Sequence, residues 1–172
     1  MFRIWIYLSL KKFLSNLFLR RKKEIIIKSI EKILLKQSNK KFLSLFSQCR
    51  VGFFYILKFL KSRSTKREII FCAYNLPEMI NIAENLNLKI KFCDIDYKSG
   101  FIDLNQLKEN LSSNTLALVL TNMFNSYEDS QEIQKIAKKF QITLIEDNAI
   151  YFDNFYQLRE KKIFSGNFGD YT

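Results

Sequence analysis

Residues 115–120 read Thr-Leu-Ala-Leu-Val-Leu, one hydroxyl and five apolar side chains in a row. A strand with one wet face alternates apolar and polar residues. An unbroken apolar run is what a strand covered on both faces requires. Such a strand belongs inside a mainly parallel sheet with helices on both faces. The flanking sequence supplies the remaining parts. "EIIFCA" (68–73), "KIKFC" (89–93) and "ITLIE" (142–146) read as further strands. Between them, Met79, Ile80, Ile82, Ala83 and Leu86 recur at helical spacing, as do Leu104, Leu107 and Leu111, and then Ile133, Ile136, Ala137 and Phe140. "VGFFYILKFLK", from Val51 to Lys61, reads as a mostly buried helix, followed by a polar loop over Ser62–Arg67. Residues 50–147 thus alternate α-β-α-β-α-β-α-β, an α/β fold. Asn75, with Pro77 in the first turn, and Asp103 are the expected helix caps.

The 172-residue chain carries a formal charge of +11, unevenly shared. Residues 1–67 hold 18 Lys/Arg against 2 Asp/Glu, whereas residues 68–172 hold 10 against 15. The asymmetry suggests a basic interacting segment on a more ordinary domain, and the chain is read as a basic amphipathic helical segment, 1–48, followed by a domain, 49–172. The two uncharged runs Ile4–Leu10 and Phe13–Leu19 are too short to cross a bilayer, which takes about 20 apolar residues. Residues 1–23 read instead as a basic amphipathic helix, suited to an anionic membrane surface or to a partner subunit. Its periodicity continues through 24–45, with Ile26, Ile30, Ile33 and Leu34 on one face and Lys28, Lys32 and Lys36 on the other. No recognition-helix or RNA-binding aromatic motif accompanies these lysines, so no specific nucleic acid is expected. Cys49, Cys72 and Cys93 lack the spacing of a disulfide framework and read as small buried hydrophobes, in keeping with a cytoplasmic compartment. With no histidine in the chain, Ser-His and Cys-His nucleophiles are excluded.

The strand at 142–146 runs into "TLIEDNAIY" (143–151), where Glu146 and Asp147 are adjacent. Carboxylates at the carboxyl end of a parallel strand lie where α/β sheets bind ligands. They are costly there unless something uses their charge. A metal would need further ligands, from Asp94, Asp96, Asp153 or Asp170. Acid–base chemistry would need a second group with a shifted pKa. A pyridine nitrogen would need one carboxylate to keep it protonated. The plain alternative is that Asp147 or Asn148 caps the following turn.

Six stretches in order extend this reading: "CRVGFFYILKFL" (49–60), "REIIFCAYNLPEMINI" (67–82), "IKFCDIDYKSGFIDLNQLKENL" (90–111), "LALVLTNMFN" (116–125), "IQKIAKKFQITLIEDNA" (133–149) and "REKKIFSGNFGDYT" (159–172). Together they resemble the DegT/StrS-type sugar aminotransferases, fold type I enzymes that use pyridoxal phosphate. The resemblance covers about residues 49–172. It implies a partial fold type I large domain, a homodimer with active sites at the subunit interface, and amino transfer from an amino-acid donor to a nucleotide-linked keto sugar. It sets Asp147 against the pyridine nitrogen. It sets Arg50 and Val51 in the turn that holds the cofactor phosphate, which helix N-terminal N–H groups favour. Leu76 falls where the family stacks an aromatic ring, and Ile150 where it carries Gln or His beside the cofactor. Cys49 stands for a usual Gly, and Asn122 and Asn125 for a usual His and Gly. Lys161 and Lys162 match surface lysines of a hairpin. The Schiff-base lysine of the family falls beyond Thr172, so this chain is expected to be truncated and inactive alone as a transaminase. A non-catalytic or split-gene remnant that only dimerises, and a basic membrane-surface or nucleic-acid binding module, are the competing readings.

Overall fold

A computed structural model describes residues 23–38, 40–122, 130–149, 156–158, 161–163 and 166–172. Two helices, α1 (Lys23–Gln37) and α2 (Cys49–Arg63), precede strand β1 (Glu68–Cys72). Then come α3 (Pro77–Asn85), β2 (Lys89–Cys93), a short hairpin of β3 (Ile95–Asp96) and β4 (Phe101–Ile102), α4 (Leu104–Asn110), β5 (Thr115–Thr121), α5 (Ser130–Phe140) and β6 (Thr143–Asp147). A second hairpin pairs β7 (Tyr156–Leu158) with β8 (Lys161–Ile163), as expected around Lys161 and Lys162.

The main sheet has the order β2-β1-β5-β6, and every pair in it is parallel. Tyr171 adds a parallel bridge to Ile145, extending the sheet past β6. The apolar run in β5 is buried from Thr115 through Leu120. Side-chain alternation sends successive residues to opposite faces. Ile70, Leu118, Leu120 and Leu144 pack with Leu107 of α4 and Ile133 of α5. Ile69, Phe71, Ala117 and Val119 pack with Leu57 of α2 and Met79 of α3. Each of the larger side chains here, fully buried, contributes about 1.5–3 kcal/mol. The mainly parallel sheet covered on both faces is therefore as the sequence indicates.

Several local expectations are corrected. The helical pattern over 24–45 stops at Gln37, and residues 40–48 are not helical. Five polar residues in a row, 37–41, interrupt the apolar stripe, and Ser and Asn favour local backbone hydrogen bonds over helix continuation. Asn75 does not cap α3. Its side-chain oxygen accepts from the Leu76 N–H at 2.8 Å, and its amide donates to Thr121 Oγ1 at 2.9 Å. The cap position falls on Leu76, ahead of Pro77. Asp103 caps as expected, accepting from the Asn105 and Gln106 N–H groups. Cys72 and Cys93 are buried, but Cys49 is exposed because it opens a helix at a pocket rim. The β3–β4 hairpin is an addition. Asp96 accepts from the Lys98 and Ser99 N–H groups, and Gly100 closes the turn at φ +68°, which glycine adopts without strain. The expected helix over 1–22 and positions Asn125, Ile150 and Asp153 lie outside the described residues. No described helix is long and apolar enough to cross a membrane.

Candidate active site

Strand alternation places Glu146 and Asp147 on opposite faces of β6. Asp147 shares the face of Ile145, toward α2 and α3, and lines an open cavity of about 620 Å³ at the carboxyl end of the sheet. Cys49 and Gly52 of α2, Tyr171 and Thr172 line the same cavity, as do Lys40 and Phe46 from the non-helical segment before α2. The start of one helix and the end of one strand therefore face a common space.

The first turn of α2 carries Arg50 and Val51. No side chain caps it, and it holds no acidic residue. Gln48, the N-cap, accepts the Arg50 Nε–H on its side chain at 2.8 Å and the Val51 N–H on its backbone carbonyl at 3.1 Å. Helix polarity and the Arg50 guanidinium make this end positive. Arg50 and Val51 flank the cavity lining rather than forming it.

Asp147 Oδ1 accepts from the Ala149 N–H at 3.0 Å, so the turn-capping role foreseen for Asp147 is present. Burial pushes its carboxyl above the ordinary value, and the Ala149 hydrogen bond only partly offsets that. Among the described residues no lysine or arginine forms an ion pair with it. Although Cys49 is exposed, partial desolvation at the rim raises its thiol, and the Asp147 charge raises it further. Lys40 donates through Nζ to the Gly169 carbonyl. Desolvation lowers its ammonium below the ordinary value, against an opposing pull from Glu146 and Asp170.

Glu146 is almost fully buried, at 2% exposure. Its Oε1 accepts from Asn122 Nδ2 at 2.9 Å, and its Oε2 from the Phe168 and Gly169 N–H groups at 3.1 and 2.9 Å. Gly169 must be glycine here, because a Cβ would lie 2.8 Å from the Glu146 Cβ and 2.5 Å from the Tyr171 carbonyl oxygen. Glu146 was marked by its strand end, but Lys40 had no sequence signal beyond its type, since 129 residues separate it from Gly169.

Of the other expected site positions, Leu76 is 57% exposed at the head of α3 and does not line the cavity. Ile150 lies outside the described residues. Among the described residues no cluster of three or more Cys, Asp or Glu is placed to hold a metal. The donor set suits a different ligand. A desolvated carboxylate without a cation favours a protonated nitrogen heterocycle, and an uncapped helix start favours a phosphate.

An open parallel α/β sheet with its cavity beyond the carboxyl ends of the strands, between a helix start and a strand-end aspartate, defines a ligand-binding α/β class. The chain belongs to the DegT/DnrJ/EryC1/StrS aminotransferase family, whose sequence model matches residues 27–172. The match begins within α1, before Cys49. GDP-4-keto-6-deoxy-D-mannose 3-dehydratase of Escherichia coli O55:H7 is 33% identical over 82 residues, covering 48% of this chain and 21% of the relative. The dTDP-4-dehydro-2,6-dideoxy-D-glucose 3-dehydratase of Saccharopolyspora spinosa is 29% identical over 105 residues, covering 61% and 22%. Among solved structures, the E. coli GDP-4-keto-6-deoxy-D-mannose-3-dehydratase with bound hydrated PLP superposes at a TM-score of 0.74 and 25% identity. That match covers 92% of this chain and 42% of that one. Helicobacter pylori PseC, an aminotransferase, shares the fold at a TM-score of 0.72 and 18% identity, over 87% and 38% of the two chains. The chain spans between a fifth and a quarter of the length of the curated relatives it matches.

Proposed function

We propose that this chain forms the cofactor-binding part of the large domain of a pyridoxal-phosphate enzyme acting on nucleotide-linked keto sugars. One observation carries the reading. Asp147, desolvated and without an ion-pairing cation among the described residues, and the start of α2, without a side-chain cap, border one cavity. When bound, the cofactor supplies an electron sink and a reactive aldehyde carbon. The protein's own work is then positional. Asp147 would hold the proton on the pyridine nitrogen, whose charge would relieve the cost of the half-buried carboxylate. The start of α2, at Arg50 and Val51, would receive the phosphate through N–H groups that the helix leaves free, aided by the Arg50 charge. Ile145, Phe53 and Met79, which also line the cavity, keep water from its floor.

Support for the substrate class comes from the family and from relatives named as dehydratases of nucleotide-linked keto sugars. An amino-acid donor and a homodimer follow from the same reading. Ile25, Ile26, Ile30 and Ile33 of α1 are exposed and offer an apolar face to a second copy. We assign residues 1–48 to a basic N-terminal segment and 49–172 to the large-domain portion.

The test uses pyridoxamine 5′-phosphate, which carries the pyridine nitrogen and the phosphate and needs no lysine. Titration calorimetry should show binding to the full chain. Asp147→Asn keeps the acceptor for Ala149 but loses the charge, and should weaken binding at least tenfold. Equal binding by the parent and Asp147→Asn would overturn the assignment.

A further inference from the structure

The residues that fix Asp147 cluster around Glu146 and the turn that follows β6. Asn122, just past β5, is 1% exposed. Its backbone N–H donates to the Asp147 carbonyl at 2.9 Å, and its side-chain Nδ2 donates to Asn148 Oδ1 at 2.7 Å. One residue therefore brackets the Asp147 turn from both sides. That bracket is itself anchored: the same Nδ2 donates its other proton to Glu146 Oε1 at 2.9 Å. The remaining Glu146 oxygen is held by the Phe168 and Gly169 N–H groups. Asn148 Nδ2 donates onward to Thr172 Oγ1 at 2.9 Å.

We infer that Glu146 is a positioning residue for the cofactor site: through Asn122 it locks the turn that aims the Asp147 carboxylate into the cavity. The inference rests on the reading of Asp147 as the partner of the pyridine nitrogen. Glu146 also borders the cavity, but both its carboxylate oxygens are taken by protein donors. Its carboxylate is committed to three donors, a number that an ionised carboxylate accepts with lone pairs to spare. A neutral amide cannot reproduce the set. In Glu146→Gln, the amide N–H₂ faces Asn122 Nδ2, donor against donor. Relief requires the Asn122 and Asn148 amides both to turn over. That leaves a buried Asn122 N–H where its Oδ1 now lies, a position without a partner among the described residues.

The experiment has two readouts, hydrogen exchange on the ligand-free chain and pyridoxamine 5′-phosphate binding. In Glu146→Gln the Ala149 amide, which donates to Asp147 Oδ1, should exchange about tenfold faster, while Leu118 and Val119 in β5 keep their protection. Binding of the probe should weaken about tenfold. The ¹⁵N shift of a labelled pyridine nitrogen should move toward the neutral form. Asn122→Asp combined with Glu146→Gln moves the carboxylate across the pair and restores a donor–acceptor match. It should recover most of both losses, which a merely destabilised fold would not. If Glu146→Gln does not fold, Asn122→Ala cuts the same link and should loosen Ala149 to a similar degree. Unchanged Ala149 exchange in the folded variant would overturn the proposal, whatever the probe does. Faster Ala149 exchange in a chain whose parent binds no probe would instead overturn the cofactor assignment and leave the positioning role standing.

Discussion

The two ends of one sheet each bury carboxylates, and they treat them in opposite ways. At the amino end, Glu68 of β1 lies 2.8 Å from Lys91 Nζ and 3.6 Å from Lys89 Nζ, and accepts from the Ser112 hydroxyl. Hydrogen bonds from Lys91 and then Ser112 hold its carboxyl below the ordinary value. At the carboxyl end, Asp147 has one backbone hydrogen bond and no ion-pairing cation among the described residues, and burial holds it above the ordinary value. A neutralised carboxylate serves the fold. One left short of positive charge costs stability in the free chain and gains when a cationic ligand arrives. The difference separates scaffold from site within strands only a few residues long.

The largest expected effect would come from breaking the amino end. Glu68→Ala strands Lys91 and the Ser112 hydroxyl and should cost about 2 kcal/mol, measured by urea unfolding. Probe affinity in the fraction still folded should not change. A next, smaller effect distinguishes the ends by pH. The folded chain holds Glu68 ionised more readily than the unfolded chain does, so its contribution is present above the unfolded pKa and lost as pH falls through the folded one. Asp147 has the opposite sign. Its folded form keeps a proton that the unfolded chain has released, so its contribution is lost as pH rises through the folded pKa. Ligand-free Asp147→Asn should therefore melt above its parent at neutral pH, with the gap closing on acidification below the carboxylate range. A gap that widened in acid would reverse the assignment of the two ends. The smallest effect is expected at Arg50, an exposed residue whose one side-chain bond among the described residues is to Gln48. Arg50→Ala should leave stability within about 0.5 kcal/mol. It should weaken the probe about threefold at low salt and less at high salt.

Much of this was legible in advance where the cause is local. The apolar run 115–120 required burial on both faces, and it is buried from Thr115 to Leu120. Asp103 capped as its type and place suggested. Asp147 stood at a strand end, where side-chain alternation alone decides that it and Glu146 face opposite ways. The misses have two causes, a partner distant in sequence or a local signal outweighed by the periodicity around it. Asn75 gave up the cap because Thr121, 46 residues away, accepts its amide. Helix α1 stopped at Gln37, and the segment after it joined the cavity wall instead. Residues 95–102 held a hairpin whose turn rests on Asp96 and Gly100, a signal present in the sequence but shorter than the helical and strand periods around it.

Periodicity, capping chemistry and charge are properties of neighbouring residues. They were enough to define the α/β class and to mark the Glu146–Asp147 pair at a strand end, while the choice of Asp147 came from the family resemblance. The strand order β2-β1-β5-β6, the meeting of α2 with β6 around one cavity, and the Asn122–Glu146–Gly169 knot depend on contacts between residues tens of positions apart. Such contacts arise only when burial brings the elements together, because a hydrogen bond reads distance in space and not in sequence.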